Sequence, residues 1–396
     1  MRHGTPAAAG LDPAWTRRLV HGVREATEGP APWCAGAVVL AGRGPVVAAE
    51  EAAGWALRYA GYDPERDRGV ELPREHREPM RVGTVFDLAS LTKLCTAIVA
   101  VQQAERGLLD LDAAAGRWLP GFADGITVRS LLTHTSGLRP ELPFYERHGR
   151  TAQLELLWAE AAAPAAPPGS TYRYSDLNLI ALQLILERLT GLRLDALVAG
   201  GITGPLGMTS TAFGPLAPAG VAATEDQRRP WAKADRGMVR GAVHDENAWA
   251  LGGVAGHAGL FSTAQDLAVL CRTLLGGGAY GRERILSAES VALLLDPPGL
   301  GFGVDQPYFM GELAGRGAAG HTGFTGTSLV LDRATDTFLV LLANTVHPRR
   351  REAGSAPRAA AATRLARAVR AGGGPHAYGT GGPGRRPAGP GRPGPP

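Results

Sequence analysis

Ser90 and Lys93 stand three residues apart in Phe86-Asp87-Leu88-Ala89-Ser90-Leu91-Thr92-Lys93, just before the apolar run Leu94-Cys95-Thr96-Ala97-Ile98-Val99-Ala100-Val101-Gln102. On a helix that spacing puts both side chains on one face. The first turn of a helix also offers free backbone N–H groups and partial positive charge, which suit an alkoxide and an oxyanion. A serine hydroxyl needs a base to take its proton, and a lysine serves only if its own pKa falls. Burial in an apolar helix is the expected cause. The chemistry this pair could do is acyl transfer through a serine ester. The chain has two lysines, Lys93 and Lys233, among 41 Lys and Arg residues. Surface charge is thus left to arginine, and a lysine flanked by Leu88, Ala89, Leu91, Leu94 and Ile98 calls for another reason.

Two later clusters carry further groups. Tyr174-Ser175-Asp176-Leu177-Asn178 leads into the apolar stretch 179–187. A phenol beside a protonated amine can ionise below its usual pKa of ~10, so Tyr174 is expected to share the base work with Lys93. Asp176 reads equally as a helix N-cap or as a site residue. His321-Thr322-Gly323-Phe324 opens a Gly-rich strand. His134 and His257 read as structural, whereas His244, Asp245 and Asn247 either line a pocket or belong to a polar loop.

The elements that must position these groups follow from periodicity. Residues 12–28 form an amphipathic helix with Asp12 as N-cap and Pro13 at N1. Residues 35–41 and 45–55 read as strands joined by a hairpin through Gly42-Arg43-Gly44. Residues 58–81 read as a surface excursion, 126–138 as a helix closing on Gly137, 139–150 as a mobile loop, and 151–163 as a helix. Residues 321–332 read as a strand with a Gly-rich entry and pair with 337–344 as a hairpin, before a last helix over 356–370. Strands at both chain ends and helices between them predict an α/β (α+β) architecture with one antiparallel sheet built from both termini. The domain spans 12–370, with its sheet from about 12–57 and 300–370 and a helical insert at about 85–290. The first and last helices cover one sheet face. Residues 371–396 are Gly/Pro/Arg-rich and are expected to be disordered.

The net charge is +4, yet residues 348–396 alone hold ten arginines and one glutamate, so the rest of the chain is acidic. With no nucleic-acid motif, the basic balance does not argue for a nucleic-acid partner. Cys34, Cys95 and Cys271 are far apart and lack metal or redox spacing. No metal or organic cofactor is implied. No apolar run reaches ~18 residues, so no membrane span is expected. The start lacks a signal-peptide core, so the expected location is the cytoplasm.

Ser90-x-x-Lys93, Tyr174-Ser175-Asp176 and His321-Thr322-Gly323 occur in that order with suitable gaps. The set resembles the three motifs of the serine β-lactamase and penicillin-binding-protein family, in the branch holding class C β-lactamases, esterases and D,D-carboxypeptidases. Leu131-Leu132-Thr133-His134-Thr135-Ser136-Gly137-Leu138, Pro205-Leu206-Gly207-Met208 and the stretch from His244 to Ser262 are similar to phrases of that branch. The resemblance implies Ser90 as nucleophile, Lys93 and Tyr174 as general bases, and the Ser90 and Phe324 backbone N–H groups as oxyanion hole. It implies Asp176, Asn178, His321, Thr322, Gly323, Phe324, His244 and Asn247 as substrate-binding. Two positions depart from the pattern: Asp176 stands where the family more often has Asn, with Asn178 as a candidate substitute, and His321 stands in place of Lys. A histidine can be neutral at pH 7, unlike a lysine. The implied activity is that of an esterase or D-amino-acid peptidase on a small ester, amide or peptide. The alternative is an acyltransferase with an amine acceptor. A resistance β-lactamase and a non-catalytic binding protein rank below both. Residues 139–150 and 215–247 are the expected pocket loops.

Overall fold

The computed structural model describes residues 1–351 and 353–373. The expected tail beyond Gly373 lies outside them. Gly36–Arg43 and Val46–Leu57 form the first hairpin, which turns through Gly44 at φ +53°. Gly36–Arg43 pairs on its other edge with Thr337–Ala343, Val38 opposite Leu342 and Leu40 opposite Val340. Ser328–Asp332, Ala319–Thr322 and Gly303–Val304 continue the antiparallel sheet in that order. Arg2–His3 adds in parallel to the far edge, where Glu78–Pro79 also pairs. Strands from the two chain ends therefore meet in the middle of one sheet.

The strand alternation divides two cores. Val38, Leu40, Phe338, Val340 and Leu342 face one, and Ala37, Val39, Ala41, Leu339, Leu341 and Ala343 face the other. A sheet covered on both faces needs apolar residues at every position, which is why these strands read as continuous runs. The second core is closed by the helices Pro13–Glu25 and Ala356–Ala371. Asp12 caps the former by accepting from Trp15 N at 2.8 Å, and Leu19 and Val23 point inward. Burying one such leucine contributes roughly 1.5–3 kcal/mol, so these faces hold the sheet more than strand propensity does.

The first core belongs to the helices between the strands. Thr92–Glu105 is buried from Thr92 through Gln103. A helix apolar all round has no solvent face, so the side chain of Lys93 must end inside the protein. Asp176–Thr190 packs beside it and closes on Gly191 at φ +70°.

Three expectations change. The stretch 126–138 holds only the short helix Val128–Leu132, started by a Thr127–Ser130 capping box. The chain then turns with His134 at φ +56°, because His134 Nδ1 accepts from Ser175 N at 3.1 Å and draws the residue to the second motif. Residues 58–81 contain a hairpin of Tyr59–Asp63 with Arg68–Glu71. Residues 139–150 are anchored by Phe144, which is fully buried. No helix among the described residues is long and apolar enough to cross a membrane.

Candidate active site

The short strand Phe86–Asp87 pairs with Leu260–Ser262 and leads straight into the candidate nucleophile. Ala89 sits at φ +46° and Ser90 in a 3-10 turn, Ala89–Leu91, so Ser90 precedes the helix Thr92–Glu105 and does not lie in its first turn. A non-glycine residue there costs on the order of 1–3 kcal/mol and persists only where its surroundings hold it. Here the buried Asp87 carboxylate accepts from Ala89 N at 2.8 Å and from His244 N at 2.6 Å. From the third motif, Thr325 Oγ1 donates to Asp87 O at 2.8 Å and Thr327 Oγ1 to Leu88 O at 2.9 Å. These bonds join the nucleophile turn to the loop bearing Phe324. Among the described residues, neither the Ser90 nor the Phe324 backbone N–H donates to a protein acceptor.

Lys93 is completely buried, and its Nζ donates to Ser90 Oγ at 2.9 Å and to His257 O at 3.3 Å. It also forms an ion pair with Asp176 Oδ1 at 2.8 Å. The expected neutral lysine is corrected. Burial does push against the charge, but the Asp176 carboxylate and the Tyr174 oxygen outweigh it and hold the lysine pKa above its ordinary value. The Tyr174 expectation changes for the converse reason. Its ring centroid is 4.8 Å from Nζ, and its hydroxyl interacts with Lys93 and Ser90. Burial of that hydroxyl, together with the Asp176 carboxylate, raises the phenol above its usual value despite the lysine cation. Tyr174 is therefore a neutral phenol at pH 7.

Asp176 is not the N-cap of its helix: Ser175 holds that position, and Asp176 is the first helical residue with its carboxylate on Lys93. Asn178 is fully buried, bonded to Ser136 Oγ and His134 Nδ1, and cannot replace an exposed amide in the pocket. His244 is also withdrawn, because its Nε2 lies 2.7 Å from Glu225 and its ring stacks on Phe324 from behind the cavity lining. Asn247 is buried as well and accepts from Tyr145 N at 3.4 Å. These polar groups serve the frame of the site, a role that spacing alone does not distinguish from ligand contact.

His321, Thr322, Gly323 and Phe324 line a cavity of about 1190 Å³ together with Ser90 and Tyr174. His321 Nδ1 lies 2.7 Å from Thr322 O, and its pKa is pushed down to about 4 by burial and by the Lys93 charge. It is neutral at pH 7. Gly323 has no room for a side chain: a Cβ would stand 2.1 Å from Thr327 Oγ1 and 2.4 Å from Leu88 O. The outer walls come from 297–309, Arg351, 353–356 and Arg358, and among the described residues neither 139–150 nor 215–247 contributes, contrary to expectation.

Several functional candidates had no sequence signal. Asp87, Thr325 and Thr327 act through backbone bonds that no motif announces. Arg358 comes from the final helix, where it reads as one arginine among many. It is 9% exposed, donates to Gly323 O and Ser355 Oγ at 3.0 Å each, and its Nε has no partner. No carboxylate pairs with it among the described residues, and burial pushes its pKa down to about 10. Asp245 and His257 pair at 3.0 Å beside Asp176, and the three place ligand-type atoms within 4.8 Å of one another. That donor set would suit a cation, but the Lys93 ammonium already lies 2.8 Å from Asp176. The cysteines are buried, and burial pushes the Cys34 and Cys95 thiols up to about 12, which makes them poor nucleophiles.

Comparison with known proteins adds the following. A family model described as Beta-lactamase matches residues 25–364. A protein of Escherichia coli (strain K12), provisionally named D-alanyl-D-alanine carboxypeptidase, is 35% identical over 308 residues, covering 67% of this chain and 70% of that one. Among solved structures, EstCE1, described as a hydrolase with promiscuous acyltransferase activity, matches with a TM-score of 0.62 at 22% identity, covering 90% of this chain and 98% of that chain. A penicillin-binding-protein homologue from Caulobacter crescentus matches with a TM-score of 0.63 at 20% identity, covering 91% and 98%. At those identities the two structures speak for the fold alone.

Proposed function

We propose that this chain, which belongs to the Beta-lactamase family, is a serine hydrolase that works through an acyl ester on Ser90 and prefers acyl donors bearing a free carboxylate. The observation that carries the reading is the 2.9 Å bond from Lys93 Nζ to Ser90 Oγ at the base of an open cavity. Ser90 Oγ attacks an ester or amide carbonyl, and the Ser90 and Phe324 N–H groups receive the oxyanion. Losing one such donor typically lowers the rate ~10²–10³-fold. Tyr174, a neutral phenol next to Ser90, takes the Oγ proton on its oxygen as it hands its own proton to the leaving group, and water then cleaves the acyl ester by the reverse exchange.

The carboxylate preference rests on Arg358. A buried guanidinium without an anion is unfavourable until one arrives, and this one lies on the cavity wall beside Gly323. His321, being neutral, does not supply that charge. A peptide ending in a D-amino acid fits this requirement, and the name of the Escherichia coli relative points the same way. A second reading, transfer to an amine, draws on size: about 1190 Å³ exceeds the ~300–1,000 Å³ of ordinary ligand sites and leaves space for an acceptor.

Intact-protein mass spectrometry tests both readings. The protein is incubated with activated esters, thioesters, acyl-D-alanyl-D-alanine and a penicillin, with and without amines, beside Ser90→Ala. An adduct on the wild type but not on Ser90→Ala supports the nucleophile, and an amide product supports transfer. No adduct and no turnover with any donor removes the catalytic reading.

A further inference from the structure

We infer that Tyr172 and Tyr308 form an aromatic clamp that selects donors whose leaving group is an aromatic D-amino acid with a free carboxylate. This rests on the acyl-enzyme reading above and names the side chain that reading leaves open. Ten large apolar side chains are exposed among the described residues, and four of them, Tyr172, Tyr174, Tyr308 and Phe324, line the cavity that holds Ser90. Single exposed apolar residues are ordinary, whereas a group of them rimmed by polar residues marks a binding surface. Tyr172 is 69% exposed and Tyr308 57%, so neither ring is held in the core.

The rings continue inward from Tyr172 as a row. Tyr172 stands edge-on to His134 at 6.0 Å between ring centroids, His134 is 4.7 Å from Tyr174, and Tyr174 is 5.9 Å from His321. All four line the cavity. Both histidines are neutral at pH 7, so the row presents rings and no charge. Tyr308 belongs to the short helix Pro307–Met310, and its hydroxyl lies 3.5 Å from Thr322 Oγ1, beside His321. It is near enough to Tyr172 and to Arg358 to bear on the ionisation of both. The two tyrosines and the guanidinium therefore share one end of the cavity.

That neighbourhood selects the occupant. Among the described residues, the charged side chains on the cavity are Asp305, Arg351 and Arg358. Asp305 Oδ1 already accepts from Gly315 N at 2.7 Å, Gly317 N at 3.0 Å and Ala318 N at 3.1 Å. Arg351 donates to Trp33 O at 3.0 Å. Arg358 alone of the three keeps a buried polar atom, Nε, without a partner. A carboxylate bound there brings the Cα of its amino acid beside Tyr308, and the side chain on that Cα meets rings. A planar side chain gains from edge and offset contacts with them that a methyl group cannot make. In the reaction the amide bond breaks, the acyl group stays on Ser90, and the aromatic amino acid leaves with the proton from Tyr174.

The test is kcat/KM for release of the terminal residue from acyl-D-alanyl-D-phenylalanine, acyl-D-alanyl-D-leucine and acyl-D-alanyl-D-alanine. The three share the scissile amide and the carboxylate. Acylation by p-nitrophenyl acetate, compared with Ser90→Ala, reports the nucleophile separately. Wild type should prefer D-phenylalanine to D-alanine by about 10–100-fold, the range for added apolar groups in a fitting pocket. It should prefer D-phenylalanine to D-leucine by about 2–10-fold, the share owed to ring contacts. In the double variant Tyr172→Ala, Tyr308→Ala the first ratio should fall to about threefold or less, and in Tyr172→Phe, Tyr308→Phe it should stay within about twofold of wild type, because rings and not hydroxyls select. A merely structural role would lower all three donors together and leave the ratio alone. A wild-type ratio near one, D-leucine at or above D-phenylalanine, or a ratio unchanged in the alanine pair overturns the clamp. Turnover of none of the three by a protein that p-nitrophenyl acetate still acylates overturns it too, with the nucleophile intact. If the alanine pair fails to fold, Tyr308→Ala alone decides on the same ratio. A wild type that matches Ser90→Ala with every donor removes the acyl-enzyme reading itself, and the clamp with it.

Discussion

Thr327 Oγ1 donates to Leu88 O at 2.9 Å, so the loop that carries Phe324 is fastened to the turn that carries Ser90. The two backbone N–H groups assigned to the oxyanion come from these two pieces of chain, and the threonine sets their separation. Thr327→Val keeps the shape and removes the bond. Leaving a buried carbonyl short of a partner costs about 1–3 kcal/mol. We expect kcat to fall about tenfold with KM nearly unchanged, read by steady-state kinetics, and a loss of a few degrees in Tm.

Gly323→Ala tests the same junction by crowding. The added methyl would meet Thr327 Oγ1 and the Leu88 carbonyl well inside contact distance, and the carbonyl belongs to backbone that the buried Asp87 carboxylate holds. Acylation should drop at least about 10²-fold, in line with a lost oxyanion donor. Equal rates for wild type and variant in a stopped-flow acylation assay would show that the turn can yield.

Arg358→Gln separates charge from shape. Charged hydrogen bonds contribute about 1.5–3 kcal/mol, so kcat/KM for a donor with a free carboxylate should fall roughly 10–100-fold. A neutral ester should change less than about threefold, because the Gly323 contact can be kept by the amide. Equal losses for both donors would assign Arg358 to the frame of the loop instead of to the ligand.

Stability should depend on pH through three histidines, His134 and His347 in the interior and His321 at the cavity. His134 and His347 are pushed down to about 3 and His321 to about 4, each mainly by burial. An unfolded histidine titrates near 6.5. Between those values the unfolded chain binds protons that the folded chain refuses, so stability is fully present above about pH 6.5 and is lost as pH falls toward 4. His347 shows why: Nε2 accepts from the Arg58 and Tyr59 N–H groups, and a proton there would displace both. Denaturant melts between pH 7 and pH 4.5 should give a falling midpoint, and His347→Gln should make that slope shallower.

The fold was legible in the sequence because its signals are long and periodic. The strand pairs at 36–57 and 328–343, with the two terminal helices, follow from apolar runs and a clear N-cap at Asp12. The grouping of Ser90, Lys93, Tyr174 and His321 was legible as ordered motifs. The charge states were not. Whether Lys93 is neutral depends on one carboxylate 2.8 Å away, supplied by a residue 83 positions later, and Asp176 could as well have been a cap. The same limit explains His244, Asn247 and Asn178. A polar residue that satisfies buried backbone and one that meets a ligand look alike until their neighbours are known. Arg358 was hidden in an arginine-rich end.

The meeting of Gly36–Arg43 with Thr337–Ala343 at the centre of the sheet has a consequence for biosynthesis. Strand Gly36–Arg43 emerges from the ribosome about 300 residues before its partner. At roughly 5–20 residues per second that is a wait of about 15–60 s with an apolar edge open. During translation the first hairpin is thus a sticky intermediate in need of a holdase, and Ser90 has no companion N–H from Phe324. A chain stopped between residues 178 and 320 would carry every residue of the first two motifs but neither the Phe324 N–H nor the strand that closes the sheet, so such a truncation is expected to aggregate without acylating.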